Sequence, residues 1–526
     1  MPFMSSHAVP EIVVPAVSTQ VYAVHGAEPE VQAYAMAKYS RSALSMKESL
    51  AELNEQKAEK FLNTFYFQYG HRSIADLAHI AMAIERLSLL AAIAAVDEQR
   101  WDGQERSTRY QDFKKSGYYT PELGHDFELR QLYRKTIDFL FAEYQQFSSL
   151  MFEHLISRTP RPDDMREDVY ERTMRARAFD ISRYLLPLAT NTSLGQIVNA
   201  RTLETQISRL LSDPHAEVRQ LAGLLKEAAR GASYNVNYNA YRELVDAILA
   251  ENADLAARAE SLLLKPVRVS PTLVKYAEAN QYEIATRRDL RQAASELMQD
   301  APVAPTTSVD LLDDEPLEIE LATTLLYEHC HYSYRQLRLA VESLGTAQRN
   351  EIIDLGLRHR GRHDELLRPF SAGQRLRFDI LMDIGGFRDM HRHRRCVQIG
   401  QSFVFAHGYD TPQEIEDAGL AGRYTDTMKH VSEVAHQISQ TLGATQSAEW
   451  EDAQYLMPLA YRKRTLFKMD FAEALYISEL RTTPAGHWSY RKVAYEMYEA
   501  VAQRYPSLAK YFRVHDIHEP VDLLKR

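Results

Sequence analysis

The chain has 526 residues, of which 45% are hydrophobic and 25% charged, and 62 Lys and Arg against 72 Asp and Glu give a net charge of −10 at pH 7. This composition excludes collagen-like, mucin-like and globally disordered chains, and the charge argues against a surface devoted to nucleic acid. At about 150 residues per domain, the length predicts three or four domains or two large ones. Two cysteines, Cys330 and Cys396, cannot form a disulfide framework or a four-thiolate metal site, so we expect a cytoplasmic protein.

Neither end of the sequence nor its apolar runs indicate a membrane segment. Residues 1–15 lack the basic start and long apolar stretch of a signal peptide. The best apolar run, over 87–96, has about half of the roughly 20 residues that a membrane-spanning helix needs. We therefore expect no contact with a membrane.

Helical periodicity dominates the chain, and strand signals are sparse. The clearest strand is predicted where apolar residues alternate with charged ones at 376–383, and a weaker one at 79–84. The fold class expected from this mixture is α/β (α+β). Helices are predicted over 46–67, 128–157, 216–230, 276–298 and 489–503.

A segment with two prolines, two adjacent threonines and an acidic run spans 299–315 and predicts a linker. It divides the chain into an N-terminal domain over 1–298 and a C-terminal domain over 316–526. Short matches recur in the same order in both halves, which indicates an internal duplication. The matched pairs are Tyr39-Ser40 with Tyr332-Ser333, His71 with His363, Ser107 with Ser402, and Leu186-Pro187-Leu188 with Met457-Pro458-Leu459.

The most unusual chemistry is the basic cluster over 388–395, with four arginines and two histidines in eight residues. Their mutual repulsion favours an anionic partner such as phosphate or carboxylate. A solvated basic turn is the plain alternative. A zinc site built on His391 and His393 would need more ligands than the neighbourhood offers, so no metal site is expected.

Two further segments carry candidate site residues. Glu105, Ser107 and Arg109 share one face if the chain is extended there, and such a face suits a nucleotide; an exposed charged turn is the alternative. Downstream, Pro484 and Gly486 break the chain after Arg481, so that its guanidinium can point into a cleft. A simple turn between two helices would produce the same pattern.

Together these segments resemble the flavin-dependent thymidylate synthase family (ThyX), in tandem duplicate. The family signature reads Arg-His-Arg, two residues, Ser, four residues, Ser, one residue, Arg. The second half has Arg-His-Arg at 392–394 and Ser402 in register, but Val397 and Val404 replace the first Ser and the last Arg. The first half has Asp-Glu-Gln at 97–99 in place of Arg-His-Arg and Asp102 in place of the first Ser, and it keeps Glu105, Ser107 and Arg109.

Each half therefore retains what the other has lost. Downstream, the first half keeps Arg183 and the Asn-Ala-Arg at 199–201 but has Leu210 at the last family position, whereas the second half has Gln454 and Asp-Phe-Ala at 470–472 and keeps Arg481. The family's site lies between subunits of a homotetramer, so the resemblance implies two tandem domains, each an antiparallel sheet with long helices. These domains would form an intrachain pseudo-dimer, and two chains would recreate the tetramer.

The resemblance also implies roles for individual residues. Arg481 would polarise the pyrimidine and act as the catalytic residue, and Asp389 stands where the family has a Gln beside the nucleotide. The dUMP site would comprise Glu105, Ser107, Arg109, Arg183 and Asp389, and the FAD site His71, Asn199, Arg201, Arg392, His393 and Arg394.

The implied reaction is reductive methylation of dUMP, with FAD as cofactor and methylenetetrahydrofolate and NADPH as cosubstrates. Since Asp389 is a carboxylate, the same chemistry on another pyrimidine nucleotide is the first alternative. A nucleotide- or RNA-binding protein on the same scaffold, without catalysis, is the second. In the favoured reading the partners are a pyrimidine nucleotide and a second copy of the chain, without nucleic acid or membrane.

Overall fold

The computed structural model describes residues 26–37, 72–299, 301–361, 364, 366–442 and 450–524. The helix predicted over 46–67, the Tyr39-Ser40 pair and the predicted flavin ligand His71 lie outside the described residues. No helix in the described ranges is long and apolar enough to cross a membrane.

The N-terminal half contains a three-stranded antiparallel sheet in the order β1-β3-β2, formed by β1 (His79–Ser88), β2 (Asp102–Glu105) and β3 (Asn191–Asn199). The strand predicted at 79–84 is confirmed and continues to Ser88. The predicted helix at 128–157 is present as Phe127–Arg158, where the Asp126 carboxylate caps the first turn. The helices of this half are α1 (Pro29–Ala37), α2 (Leu89–Ala95), α3 (Phe127–Arg158), α4 (Glu167–Ser182), α5 (Ala200–Leu211), α6 (Ala216–Arg230), α7 (Tyr238–Leu249), α8 (Ala253–Leu263) and α9 (Gln281–Leu297).

The C-terminal half contains a four-stranded antiparallel sheet in the order β4-β5-β7-β6, formed by β4 (Val309–Leu311), β5 (Leu376–Asp383), β6 (Val397–Gly400) and β7 (Arg462–Met469). Its helices are α10 (Leu317–Tyr327), α11 (Tyr334–Ser343), α12 (Thr346–Leu357), α13 (Ile384–Met390), α14 (Gln413–Asp417), α15 (Ala421–Thr441), α16 (Trp450–Gln454), α17 (Phe471–Arg481), α18 (Trp488–Arg504) and α19 (Pro506–Ala509).

The strand predicted from alternation at 376–383 is confirmed as β5, but its charged face is not exposed to solvent. Asp379 is buried and accepts hydrogen bonds from the Arg464 Nη1 (2.9 Å) and from the Tyr327 hydroxyl (2.6 Å). Both faces of β5 are therefore covered, and ion pairs replace solvent on the polar one.

The two halves meet through the short bends that the sequence matched with each other. Leu188 N donates to the Met457 carbonyl (2.9 Å), Leu459 N donates to the Leu186 carbonyl (3.0 Å), and Pro187 and Pro458 form an antiparallel bridge. One continuous apolar core contains residues of both halves. The expected intrachain pseudo-dimer is confirmed, and the Pro187–Pro458 contact lies at its centre.

The segment expected to be a linker takes part in the C-terminal half. Its residues Val309–Leu311 form an edge strand, and the preceding helix α9 places Leu290 and Ala294 in the same apolar cluster as Leu325 and Leu326. Helix α9 begins at Gln281, later than the predicted 276, because Asn280 caps it by accepting a hydrogen bond from Glu283 N.

Candidate functional site

Strand β2 of the N-terminal half and helix α13 of the C-terminal half meet at one ion pair. Arg388 Nη2 donates to Glu105 Oε2 at 2.7 Å, and its Nη1 donates to Thr108 Oγ1 at 3.3 Å. Asp383 holds α13 in place by capping it through Gly386 N (2.6 Å). Burial alone would raise the pKa of Glu105, but the Arg388 guanidinium outweighs it and holds that pKa below its usual value.

Behind this pair, one carboxylate binds both arginines that the sequence assigns to the nucleotide. Arg109 donates from Nε and Nη2 to the two oxygens of Asp180, each at 3.0 Å. Arg183 Nε lies 3.3 Å from Asp180 Oδ1. Asp180 is desolvated, yet the positive field of His487, Arg183 and Arg109 lowers its pKa to about 2. The carboxylate is therefore ionised and neutralises part of the cluster's charge.

Arg183 retains unused hydrogen-bonding capacity. Its side chain is fully buried, Nη1 makes a long contact with Thr108 Oγ1 (3.4 Å), and Nε and Nη2 have no hydrogen-bond partner among the described residues. Arg388 Nε is orphaned in the same way. Buried donors without acceptors are costly, and an anion between the two guanidinium groups would satisfy them.

Arg481 at the end of α17 lies beside the Arg-His-Arg segment. Its Nε donates to His393 Nε2 at 2.8 Å, and its Nη2 donates to the Asp389 carbonyl at 2.7 Å. Burial lowers the pKa of His393, so the ring is neutral, with Nδ1 facing Glu473 Oε1 at 3.5 Å. These contacts place the His393 proton on Nδ1 and its lone pair toward Arg481.

Tyr490 connects the two groups of arginines. Its hydroxyl accepts a hydrogen bond from Arg109 Nη1 at 3.1 Å, and its ring faces the guanidinium carbons of Arg109 and Arg481 at 5.7 and 5.4 Å. The half-buried Ser107 accepts from Arg109 N at 3.2 Å. The Asp389 side chain is half-buried at the edge of this cluster.

One of the residues expected to bind the flavin contacts the segment 96–101 of the first half. Arg394 donates to the Val96 carbonyl and lies over the Trp101 ring at 5.1 Å. Arg201 pairs with Asp76 at 3.4 Å, and Asp76 also faces Arg100 at 3.9 Å. Asn199 caps α5 by accepting from Thr202 N (2.8 Å). Arg392 is exposed.

A separate cleft of about 890 Å³ lies between α5, α9 and β7. Arg201 is the one predicted site residue that lines it, together with His391, Phe403 and Lys463. The cleft is therefore distinct from the arginine cluster around Asp180.

Sequence reasoning missed four residues that complete the cluster. Asp180 lies three residues before Arg183, a spacing at which a helical turn brings a carboxylate and a guanidinium together. This ion pair could therefore have been predicted from the sequence. Arg388 belonged to the basic cluster but received no role. Thr108 and Tyr490 carried no signal, because their contacts join segments far apart in the chain.

The fold and the site define a duplicated α/β protein with a guanidinium-rich cluster assembled from both halves. The sequence profile of the family described as "Thymidylate synthase complementing protein" matches residues 22–233 and 312–507, more than three quarters of the chain. The chain belongs to this family, which is the flavin-dependent thymidylate synthase (ThyX) family.

Curated relatives match over nearly the full length of this chain. A "UPF0159 protein" of Chlamydia muridarum is 26% identical over 95% of this chain and 92% of its own, and one of Thermoplasma acidophilum is 26% identical over 90% and 93%. The flavin-dependent thymidylate synthase of Clostridium tetani is 25% identical, over 40% of this chain and 82% of its own. The crystal structure of ThyX from Helicobacter pylori complexed with FAD and dUMP is 15% identical over 38% of this chain and 89% of its own, with a TM-score of 0.24.

Proposed function

We propose that this protein is an FAD-dependent thymidylate synthase-type methyltransferase that converts dUMP by reductive methylation, with methylenetetrahydrofolate and NADPH as cosubstrates. One observation carries the proposal: Glu105 and Thr108 of one half hydrogen-bond to Arg388 of the other, and Arg109 hydrogen-bonds to Tyr490, whose ring also faces Arg481. Arg183 contacts the same Thr108. If the two halves had lost residues at random, without selection for the site, the remaining residues would not be expected to form one cluster.

The donor set fits FAD in its chemistry. Arg392 is exposed, and none of its guanidinium nitrogens hydrogen-bonds to a described residue. Arg394 and Arg201 add two cations, and His393 adds a neutral imidazole. Such donors stabilise an anionic reduced flavin. Bound FAD would supply the electrons and the one-carbon transfer, and His71 and Asn199 complete the proposed set.

The nucleotide would bind with its phosphate at Arg183. Arg183 Nη2 has no partner among the described residues and its Nε makes only a 3.3 Å ion-pair contact with Asp180 Oδ1, whereas Arg109 has committed both Nε and Nη2 to hydrogen bonds with Asp180. Arg109 would then orient the neighbouring segment and contribute charge at longer range. The half-buried Ser107 and the buried Glu105 side chain, both beside it, would position the sugar and base.

Arg481 would act on the pyrimidine. Its Nη1 makes no hydrogen bond with a described residue, while Nε and Nη2 are fixed by His393 and the Asp389 carbonyl. A guanidinium held in this way can donate to a pyrimidine carbonyl and stabilise the anionic, enolate-like form of the base, in which C5 is nucleophilic toward the one-carbon unit.

Thiol chemistry is a poor alternative. Cys396 is buried, its Sγ donates to the His393 carbonyl at 3.1 Å, and burial raises its pKa to about 12. A thiol in this state is not a nucleophile at neutral pH.

Two measurements test the proposal. The purified protein should be yellow and take up FAD, and tritium should be released from 5-tritiated dUMP when methylenetetrahydrofolate and NADPH are present. A colourless protein that cannot bind FAD would contradict every enzymatic reading and favour a nucleotide- or RNA-binding scaffold.

Another pyrimidine nucleotide is the second candidate, and Asp389 is the observation that favours it. Its carboxylate has no hydrogen-bond partner among the described residues, and an ionised carboxylate accepts hydrogen bonds only. The amino group of cytosine would suit it better than the 4-carbonyl of uracil. Tritium release should therefore be compared among dUMP, dCMP and UMP, and release from dCMP alone would establish this candidate.

Two further parts of the proposal concern the assembly and the compartment. Two chains would associate to recreate the four-domain arrangement of the family, which sedimentation of the purified protein can test. The low cysteine count favours the cytoplasm.

A further inference from the structure

The cleft between α5, α9 and β7 occupies the position that corresponds, in the other half, to the arginine cluster. Ser402 corresponds to Ser107 in the tandem repeat, so Gly400 takes the place of Glu105. A Cβ atom at Gly400 would lie 3.1 Å from Lys463 Cε. The absence of a side chain at Gly400 therefore leaves room for the lysine. The functional groups that line the cleft differ from those of the arginine cluster.

Lys463 lies at the wall of this cleft in an aromatic setting. Its Nζ is 4.2 Å from the centre of the Phe403 ring and 5.5 Å from that of Phe387, and it donates one hydrogen bond, to the Gln401 carbonyl (2.5 Å). No carboxylate of the described residues lies within 4.0 Å of it. Desolvation lowers the pKa of Lys463 to about 8, although Asp97 and Glu328 oppose the change from a distance.

A second lysine on the same strand shows how a structural lysine is held here. Lys468 Nζ donates to Glu320 Oε1 (2.8 Å), Thr324 Oγ1 (3.2 Å) and the Ser371 carbonyl (2.9 Å), so all three of its protons are used. Lys463 has one such bond. The contrast between Lys468 and Lys463 indicates that a structural role alone does not explain why a lysine occupies position 463.

Two groups that can exchange protons line the same cleft. His391 is 6% exposed, its Nδ1 contacts Gln398 Oε1 at 2.9 Å, and its Nε2 lies 3.6 Å from Asp97 Oδ1 without a hydrogen bond to any described residue. Burial lowers the pKa of His391 to about 4 and raises that of Glu328. The imidazole is therefore neutral at pH 7, and at a given pH the Glu328 carboxyl is protonated in a larger fraction of molecules than an exposed glutamate.

We propose that Lys463 forms an imine with a small aldehyde that enters this cleft. The amine nitrogen attacks the carbonyl carbon, a C–N bond forms, and the carbonyl oxygen leaves as water with the two amine protons. The step needs no oxidant or reductant. A desolvated lysine beside aromatic rings is the usual setting for such chemistry.

Reductive trapping tests this activity without flavin or dUMP, so its outcome is independent of the proposed methyltransferase. The full-length protein is treated with limiting pyridoxal 5′-phosphate, reduced with borohydride, and mapped by peptide mass spectrometry. Because more of its amine is neutral near pH 7.5, Lys463 should be labelled at least about tenfold faster than an exposed lysine. Lys429, whose side chain is 73% exposed, is the internal reference, and Lys468 should remain unlabelled.

A Lys463→Arg variant keeps the charge and should lose the adduct while its circular dichroism and melting temperature stay unchanged. If that variant does not fold, the comparison of lysines within the wild-type protein still decides the question. Labelling of Lys463 no faster than that of Lys429, or only after unfolding in urea, would overturn the proposal.

Discussion

Arg388 and Glu105 are 283 residues apart in the chain, yet they form a 2.7 Å hydrogen-bonded ion pair whose side chains are only 10% and 6% exposed. Each half of the duplicated chain supplies one charge. Removal of either partner would leave the other buried without compensation.

Replacement Arg388→Met should therefore destabilise the protein by about 3 kcal/mol, since an unpaired buried carboxylate remains. The shift of the urea unfolding midpoint measures this loss. The double variant with Glu105→Gln should recover part of it, because the unpaired charge is removed. Arg166→Met, at an exposed ion pair, should cost less than about 1 kcal/mol. Equal losses of stability in Arg388→Met and Arg166→Met would contradict the interpretation that Arg388 and Glu105 form a buried ion pair.

The unpartnered Nη2 of Arg183 predicts that this residue contributes more to nucleotide binding than Arg109 does. Arg183→Gln should raise the Kd of dUMP at least about tenfold, the equivalent of one lost charge-assisted contact. Isothermal titration calorimetry measures the change, and the exposed Arg175→Gln serves as control. An unaltered Kd would place the phosphate elsewhere.

Asp180 predicts a specific acid response. Its pKa is about 2 in the folded protein against about 3.9 in an unfolded chain, so folding favours the ionised form. The resulting stability is fully present above about pH 4 and is lost as the pH falls toward 2, and it amounts to about 2 to 3 kcal/mol. Urea unfolding at a series of pH values should therefore show a flatter dependence in Asp180→Asn than in the wild-type protein. If stability falls equally with pH in both proteins, folding does not lower the pKa of the Asp180 carboxylate.

Arg481→Ala should abolish tritium release from dUMP while flavin binding persists, because its predicted partner is the pyrimidine. The flavin absorbance and the release rate are measured on the same preparation. Arg513→Ala, at an exposed position, should match the wild type in both. A normal rate in the Arg481 variant would refute its assigned role.

Asp389 predicts base selectivity. Asp389→Gln replaces an acceptor-only group with one that both donates and accepts, so the rate with dUMP relative to dCMP should rise about tenfold, as expected for one improved hydrogen bond. Competition between the two nucleotides in one reaction gives this ratio directly. If the ratio does not change, Asp389 does not contact the base.

The sequence predicted the features that depend on local patterns or on the duplication. The alternation at 376–383 predicted a strand, which is present as β5. The matched bends at 187 and 458 form an antiparallel bridge between the halves. The partition of Glu105 and Arg481 between the halves followed from aligning each half with the signature of the family that the sequence resembles.

What the sequence did not reveal depends on distant contacts. Asp180 engages both phosphate-binding candidates only because α4 packs against the segment that follows β2. The buried charged face of β5 is a further case, since residues such as Asp379 find partners from other elements. The position of Lys463 beside the cleft likewise depends on a distant contact, because the absence of a side chain at Gly400 leaves room for the lysine.

The antiparallel contact between Pro187 and Pro458 joins two halves that are no longer identical. In an assembly of equal subunits, every substitution appears at all symmetry-related positions at once, so a change that improves one location alters all the others. Joining the copies in one chain removes that restriction. Arg481 and Leu210, or Glu105 and Gly400, can then diverge independently, and one ancestral surface can evolve in two directions within a single gene product.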